Sequence, residues 1–304
     1  MSKTIIIGTR SSKLSLAYAN KVKNLILKSK KHEKKKIEIK KIRTTGDLFK
    51  DKKMSDIGGK NFFCKEIEDQ LNAGKIDIAV HSLKDMETFE RRELTIGAYI
   101  KRNDPRDALV LNKKKSLNDN ILIGSSSKRR ELQFKAHLKK AKYKNIRGNI
   151  DTRISKVKEG KYDGTILALA GIQTLKLENE IKKIYSTEEI IPAAGQGIIA
   201  VQCRKDDIDI IRELRKINDK ETELCALTEK SLLKTIGGDC HTAVGAYAKM
   251  EHDNIIIISQ LFSDDGLKSF SVTKTGEKNL PEELGISAGK NLLKQSEGNY
   301  KKKR

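Results

Sequence analysis

Ser82, Lys84 and Asp85 stand immediately after Ile76-Asp77-Ile78-Ala79-Val80, a short apolar run behind Gly74. A run of that length and composition reads as a buried, parallel strand. In open α/β sheets ligands sit just beyond the carboxyl ends of strands. A carboxylate beside an ammonium in that place can act as a proton donor in a charged pocket. The same pattern also suits a solvated turn with an incidental ion pair. A second group of residues asks for an anion. Gly8-Thr9-Arg10-Ser11-Ser12 and Gly124-Ser125-Ser126-Ser127-Lys128-Arg129-Arg130 put hydroxyls and arginines where a strand feeds a helix. Free amides at a helix N-terminus bind anions, and arginine adds bidentate carboxylate recognition. With Arg147 and Arg153, the residues Arg10, Arg129 and Arg130 are expected to line one cleft and to take a polycarboxylate or phosphate ligand.

Cysteine chemistry has one candidate. Cys240 ends the glycine-rich loop Gly237-Gly238-Asp239-Cys240, and a loop thiol is a nucleophile where its pKa is lowered. Asp239 works against that lowering. Cys64, Cys203 and Cys225 lie in apolar contexts and read as packing residues. None of the four has C-x-x-C spacing, so neither a metal site nor a redox motif is expected, and His241 beside Cys240 does not make one.

Two similar lobes are needed to position these residues. The first is expected to run as a strand (Thr4 to Ile7), a helix (about Leu14 to Lys30), a strand (Ile37 to Lys41), a helix (about Phe63 to Asn72), the strand before Ser82, and a strand from Leu94 to Ile100. Asn103 to Asp107 reads as a turn into the second lobe. There Ile121-Leu122-Ile123-Gly124-Ser125 echoes Ile5-Ile6-Ile7-Gly8-Thr9, and Gly160-Lys161-Tyr162-Asp163 echoes Gly74-Lys75-Ile76-Asp77. After the return Pro192-Ala193-Ala194-Gly195-Gln196-Gly197, Ile198 to Val201 is expected to cross back into the first lobe. A helix (about Glu221 to Lys234), three strands with Asp264-Asp265-Gly266 as a hairpin turn, and a closing helix from Pro281 make a third domain. The expected fold class is α/β, two similar lobes plus a small C-terminal α+β domain. Its boundaries are 1–100 with 198–217 for the first lobe, 101–197 for the second and 218–304 for the third domain.

The 304 residues include 34% charged and 37% hydrophobic residues, enough apolar side chains for several cores. No apolar run approaches a membrane span, and Met1-Ser2-Lys3-Thr4 leads directly into a strand without a signal-peptide core, so the expected location is cytoplasmic with no membrane partner. The net charge of +22 admits a polyanion, but much of the excess lies in surface-like lysine runs. Aromatic residues are 5% and are not interleaved with basic ones, which argues against a nucleic-acid partner. Salt-dependent DNA retention without turnover would reverse that reading. A non-catalytic two-lobed binder of polycarboxylates is a further alternative.

The motifs together resemble hydroxymethylbilane synthases, also called porphobilinogen deaminases. They are Gly8-Thr9-Arg10-x-Ser12, Gly58-Gly59-Lys60, His81-Ser82-Leu83-Lys84-Asp85, Asp104-Pro105-Arg106-Asp107-Ala108 and Ser126-Ser127-x-Arg129-Arg130. Arg147-Gly148-Asn149-x-x-Thr152-Arg153, Pro192-Ala193-Ala194-Gly195-Gln196-Gly197 and the Cys240 loop complete the set, which spans nearly the whole chain in order. The resemblance implies two lobes like type II periplasmic binding proteins and a dipyrromethane cofactor held by a thioether to Cys240. It implies Asp85 as the catalytic acid, assisted by Lys84. Porphobilinogen would lose its amine as ammonia, and four such units would be joined to the cofactor before hydrolysis releases a linear tetrapyrrole. Cofactor contacts are expected from Ser82, Lys84, Ser125, Ser126, Ser127, Arg129, Arg130, Arg147 and Gly148. Substrate contacts are expected from Arg10, Ser12, Lys60, Phe63, Arg147, Arg153 and Gln196. The resemblance further implies a monomer. This chain departs from the family pattern at Lys13, Asp56, Met86-Glu87, Asp239 and Ala243.

Overall fold

In each five-stranded sheet, one strand lies antiparallel between two others, and in the first sheet that strand comes from outside the lobe's own run of chain. The computed structural model describes residues 4–29, 36–48, 63–117, 120–238 and 242–300. In the first sheet, β1 (Ile5–Arg10), β2 (Ile37–Ile42) and β3 (Ile78–Ser82) are parallel neighbours, with β1 in the middle. The edge strand β4 (Leu94–Ile100) does not pair with β3. Between them, antiparallel to both, runs β10 (Ile199–Arg204). The second sheet repeats the plan. β6 (Leu122–Gly124) is flanked in parallel by β7 (Lys142–Lys144) and β8 (Gly164–Ala168), and β5 (Asp107–Leu111) lies antiparallel between β8 and β9 (Ile181–Ile184). The orders are β2-β1-β3-β10-β4 and β7-β6-β8-β5-β9.

The helices cover these sheets because their apolar stripes match them. On one face of the first sheet, α1 (Lys13–Ser29) packs Val22 and Ile26 against Ile5, Ile7, Ile78, Val80, Ile199 and Val201. On the other face, α3 (Lys65–Asn72) packs Ile67 and Leu71 against Ile42, Ile76 and Ala79. A short helix, α2 (Thr45–Leu48), precedes it. In the second lobe, α4 (Lys128–His137) covers one face through Phe134, and α5 (Ile150–Lys158) and α6 (Leu169–Thr174) cover the other through Ile154, Val157 and Ile172. The helices α7 (Ile208–Arg215) and α8 (Lys220–Ile236) follow β10. The antiparallel sheet β11 (Val244–Glu251), β12 (Asn254–Phe262), β13 (Ser269–Glu277) then packs with α8 and α9 (Pro281–Ser296) around Leu232, Ala246, Ile257 and Leu292. At the hairpin the Asp265 carboxylate accepts from Leu267 N, and Gly266 takes a φ of +77°. The chain divides into two compact units, Met1–Asn103 with Ile198–Glu223, and Asp104–Gly197 with Leu224–Arg304. The second unit holds both the second lobe and the three-stranded sheet.

The internal echo is exact in its hydrogen bonds. The Ile6 amide donates to Asp77 Oδ2 (2.9 Å) while Asp77 N donates to Ile6 O (2.9 Å). In the second lobe Leu122 N donates to Asp163 Oδ2 (2.8 Å) and Asp163 N to Leu122 O (2.8 Å). The turns Gly74 and Gly160 both have positive φ. Strand pairings keep the correspondence, since Ser82 faces Ile199 as Ala168 faces Asp107. Asn103 to Asp107 is therefore more than the expected turn: Asp107 is the first residue of a strand, whose start is masked in the sequence by Pro105 and two aspartates before the apolar run.

Each of these aspartates satisfies an amide that its neighbouring strand cannot reach. Removing either acceptor leaves a backbone N–H without its partner, at a cost of about 1–3 kcal/mol. Asp77→Ala and Asp163→Ala are each expected to lower the midpoint of urea unfolding, read by circular dichroism. Unchanged midpoints in both would show that the echoed bonds carry no stability.

Candidate functional site

In the first lobe, β3 ends at Ser82 and passes into a single 3-10 turn, Leu83–Asp85. The turn is held at both ends. Leu83 is buried and its amide donates to Ile198 O (3.0 Å), and Met86 N closes the turn on Leu83 O (3.1 Å). The Cys64 thiol, at the start of α3, donates to the Asp85 carbonyl (3.7 Å). The Asp85 side chain is exposed while Lys84 and Ser82 are half-buried. Burial, with Glu68 and Asp85 nearby, pushes the Cys64 thiol well above its ordinary pKa, so it is an inert donor and not a nucleophile. Arg10, at the end of β1, lays its guanidinium over the Phe63 ring at 4.2 Å. The Ser12 hydroxyl bonds Ser15 Oγ (2.8 Å) and accepts from Ser15 N (3.2 Å), so it caps the first turn of α1. Lys60 lies outside the described residues.

Beneath that turn the interior of the lobe is polar. Glu68 of α3 accepts from Gln202 Nε2 of β10 (3.1 Å) and from Arg91 Nε (3.1 Å). His81 of β3 lies beside Gln202. His81 Nε2 and Gln202 Oε1 are both buried without a hydrogen-bond partner. Desolvation is the main reason the His81 imidazole is pushed down to about 4. The nearby Gln202 raises it and the Arg10 charge lowers it further. His81 is therefore neutral at neutral pH.

The second lobe concentrates positive charge. Asp107, fully buried at the head of β5, receives Arg129 Nη2 (2.9 Å) and Arg130 Nη2 (2.7 Å). Gln196 donates to the same carboxylate (2.8 Å) and to Pro105 O (2.7 Å). Burial alone would raise the Asp107 carboxyl. The guanidiniums of Arg130 and Arg129 outweigh it, with hydrogen bonds from Arg130 and Gln196, and hold it below the usual carboxylate range. Two guanidiniums on one carboxylate leave one positive charge over. Arg129 and Arg130, expected to face a ligand, are thus buried and already joined to Asp107, because a carboxylate shut away from water must be paired inside the protein. Gln196, expected at a substrate, is part of the same cluster. Arg129 Nε remains buried and without a partner.

The loops after β6 and β7 meet above this cluster. Ser127 Oγ accepts from Arg130 N and caps α4. Ser125 Oγ accepts from Ser127 N (3.2 Å), and Ser126 Oγ bonds Asn145 Oδ1 (2.6 Å) and Ile146 O. Arg153 Nε donates to Gly148 O (2.8 Å) and Lys156 Nζ to Arg147 O (3.1 Å), which fixes the Arg147-Gly148 corner to α5. Gly148 has a φ of +109°, and a Cβ there would stand 2.7 Å from Thr152 Cγ2, so the corner requires glycine. Cys240 and Asp239 lie outside the described residues. Glu229 of α8 accepts from Gly195 N (2.6 Å) and Ala248 N (2.7 Å), tying the glycine-rich return to β11. Sequence reasoning missed the parts played by Asp107, Glu68, Gln202 and Glu229. Asp107 had a signal, standing directly before Ala108-Leu109-Val110-Leu111, whereas a buried glutamate in a helix has none. Among the described residues no cluster of His, Cys, Asp and Glu could hold a metal ion, and no helix is long and apolar enough to cross a membrane.

Residues 5–212 match the family model described as porphobilinogen deaminase, dipyromethane cofactor binding domain, and residues 223–294 match porphobilinogen deaminase, C-terminal domain. The chain is 38% identical over 293 residues to a porphobilinogen deaminase of Nitrobacter hamburgensis, covering 95% of this chain and 93% of that protein. It is 38% identical over 294 residues to one of Coxiella burnetii, covering 96% and 95%. Among solved structures, the ligand-binding component of an ABC-type import system from Staphylococcus aureus aligns at a TM-score of 0.41 and 16% identity, over 77% of this chain and 75% of that one.

The neutral imidazole has a consequence for acid stability. An unfolded His81 takes a proton near 6.5, whereas the folded one holds out to about 4. The unfolded state therefore binds more protons in that window, and stability rises with pH across it. This contribution is fully present above pH 6.5 and is lost as pH falls towards 4. Urea midpoints of the wild type are expected to drop between pH 7 and pH 5 by more than those of His81→Leu, and parallel curves would refute the assignment.

Proposed function

The chain belongs to the porphobilinogen deaminase family, and from that membership we propose that Asp85 is its catalytic acid and Cys240 the residue that carries its cofactor. The activity is hydroxymethylbilane synthesis, in which porphobilinogen units are deaminated and joined head to tail, and the cofactor is a dipyrromethane. When bound, that group supplies the free pyrrole α-carbon onto which new units are joined.

The observation that carries the proposal is the contrast between the two lobes at one position. Counted from the paired aspartates Asp77 and Asp163, Lys84 and Asp85 correspond to Ala170 and Gly171, both buried in α6. Only the first lobe ends this strand in an exposed carboxylate, on a turn pinned by Leu83 and Cys64. Asp85 protonates the amine of porphobilinogen, ammonia leaves, and the resulting carboxylate is the counter-charge for the cation that forms. Lys84 holds a substrate carboxylate beside it, with Ser82 at the strand end. Arg10, stacked on Phe63, is oriented for the same work, with Ser12 and Lys60 as further substrate contacts.

The second lobe's residues fit a group with two carboxylates on each pyrrole. Its buried cluster has one positive charge in excess and an unpartnered Arg129 Nε. We assign Arg129 and Arg130 to the cofactor through that charge, with Arg147, Gly148 and the Ser125–Ser127 loop, and Arg153 and Gln196 to substrate. Gly237, with a φ of +57°, follows the end of α8, three residues before Cys240 in the chain. We place the enzyme in the cytoplasm as a monomer.

Asp85→Asn keeps the shape and removes the proton, so porphobilinogen consumption is expected to fall at least about a hundredfold. Consumption near the wild-type rate would refute the acid. Intact-mass measurement of the purified protein is expected to give the chain plus two linked pyrrole units, and Cys240→Ser the bare chain. An adduct that persists in Cys240→Ser would overturn the attachment site.

A further inference from the structure

The polar tier under the Asp85 turn has no counterpart in the second lobe. By the correspondence of the paired aspartates and the glycine turns, Glu68 matches Ile154, His81 matches Leu167, and Gln202 matches Val110. Those three residues pack together in an apolar core of the second lobe. The same scaffold can therefore be filled there with hydrocarbon, and the first lobe instead buries a carboxylate, an amide and an imidazole, each at most 6% exposed. Replacing a packed apolar set by polar groups costs stability unless every group is bonded. Here Nε2 of His81 and Oε1 of Gln202 are left unbonded. Local rules are broken in this way where function, not packing, has set the residues.

The tier's members sit on the elements that hold the turn. His81 precedes Ser82 on β3, from which the turn starts. Gln202 lies on β10, whose entry at Ile198 accepts the Leu83 amide. Glu68 lies one helical turn after Cys64, its amide bonded to Cys64 O (2.8 Å), and the Cys64 thiol bonds the Asp85 carbonyl. Arg91, which follows the turn in the chain, closes the set through Glu68 and Asp69.

We propose that Glu68, Gln202 and His81 form a positioning tier for Asp85, locking β3, β10 and α3 in one register so that the carboxyl is presented at a fixed angle. Glu68 accepts from the Gln202 Nε2 and so turns the amide oxygen towards the His81 imidazole. The tier touches no reacting atom; it acts through the turn. This inference rests on the reading of Asp85 as the acid.

A double-mutant cycle separates the two. His81→Leu installs the residue of the second lobe. It is expected to lower turnover by about tenfold to a hundredfold, the scale of a slightly misplaced group, with KM within about twofold and a thermal midpoint no lower than the wild type's. His81→Gln, which offers an N–H at the reach of Nε2, recovers most of that loss. In the Asp85→Asn background, His81→Leu is expected to cost nothing further, because the tier works only through that carboxyl. Equal fold-losses in both backgrounds, or His81→Leu turnover within about twofold of wild type, would overturn the tier and leave the acid standing. Wild-type turnover by Asp85→Asn would remove the acid and the tier with it. Gln202→Val and the triple variant Glu68→Ile, His81→Leu, Gln202→Val are run in parallel. The cycle is scored on whichever variants keep the wild-type circular dichroism spectrum. Failure of all of them to fold would make the tier a folding element and refute the proposal.

Discussion

Each sheet is completed by a strand inserted antiparallel between two others, and that insertion is the constraint from which the site follows. Without β10 the first lobe has no partner for β3 on the side of β4, and without β5 the second has none for β8. A central strand is buried on both faces, so any polar side chain on it must find partners inside the protein. Both inserted strands carry such a group, at different registers. Asp107 opens β5 and faces α4, and Gln202 lies on β10 and faces α3. These positions differ by three in the shared register, so they point to opposite faces of their sheets. The duplicated scaffold thus acquired two different interiors.

The two interiors differ in net charge. In the second lobe Arg129 and Arg130 surround Asp107 and leave a net cation, whereas the first lobe has Ile199 at that strand position. In the first lobe Glu68 is balanced by Arg91 at the edge of the tier, and His81 stays neutral. That balance matters for the acid role proposed for Asp85. An uncompensated cation buried beneath a carboxyl favours its ionised form and strips the proton it must deliver. A neutral imidazole and a neutral amide put no such charge beneath the strand end.

The lobes were legible in the sequence because their repeats are local. Gly74 and Gly160 stop a helix, Asp77 and Asp163 follow at the same interval, and the apolar runs after them alternate in step. The Asp85 turn was legible because polarity changes abruptly after Val80. The interiors were not. Whether a glutamate in a short amphipathic helix faces water or core is decided by a strand far away in the chain, as Gln202 decides it for Glu68. The arginines were found by type and position, but their state was not, since burial and the claim of Asp107 on them arise only when β5 is placed.

The net charge of +22 gains a narrower meaning from this arrangement. Many of the chain's lysines are exposed, and those paired at the surface, such as Lys36, Lys158 and Lys161, make screened ion pairs that contribute little to stability. A field of that sign still draws a dicarboxylate substrate towards the protein, and it weakens as salt is added. Discrimination needs charges that cannot move. Arg129 and Arg130 are fixed by a buried carboxylate and two backbone carbonyls, and Arg10 by an aromatic face. The diffuse lysines therefore act over distance and yield to salt, whereas the few held guanidiniums keep their place and would serve the binding role proposed for them.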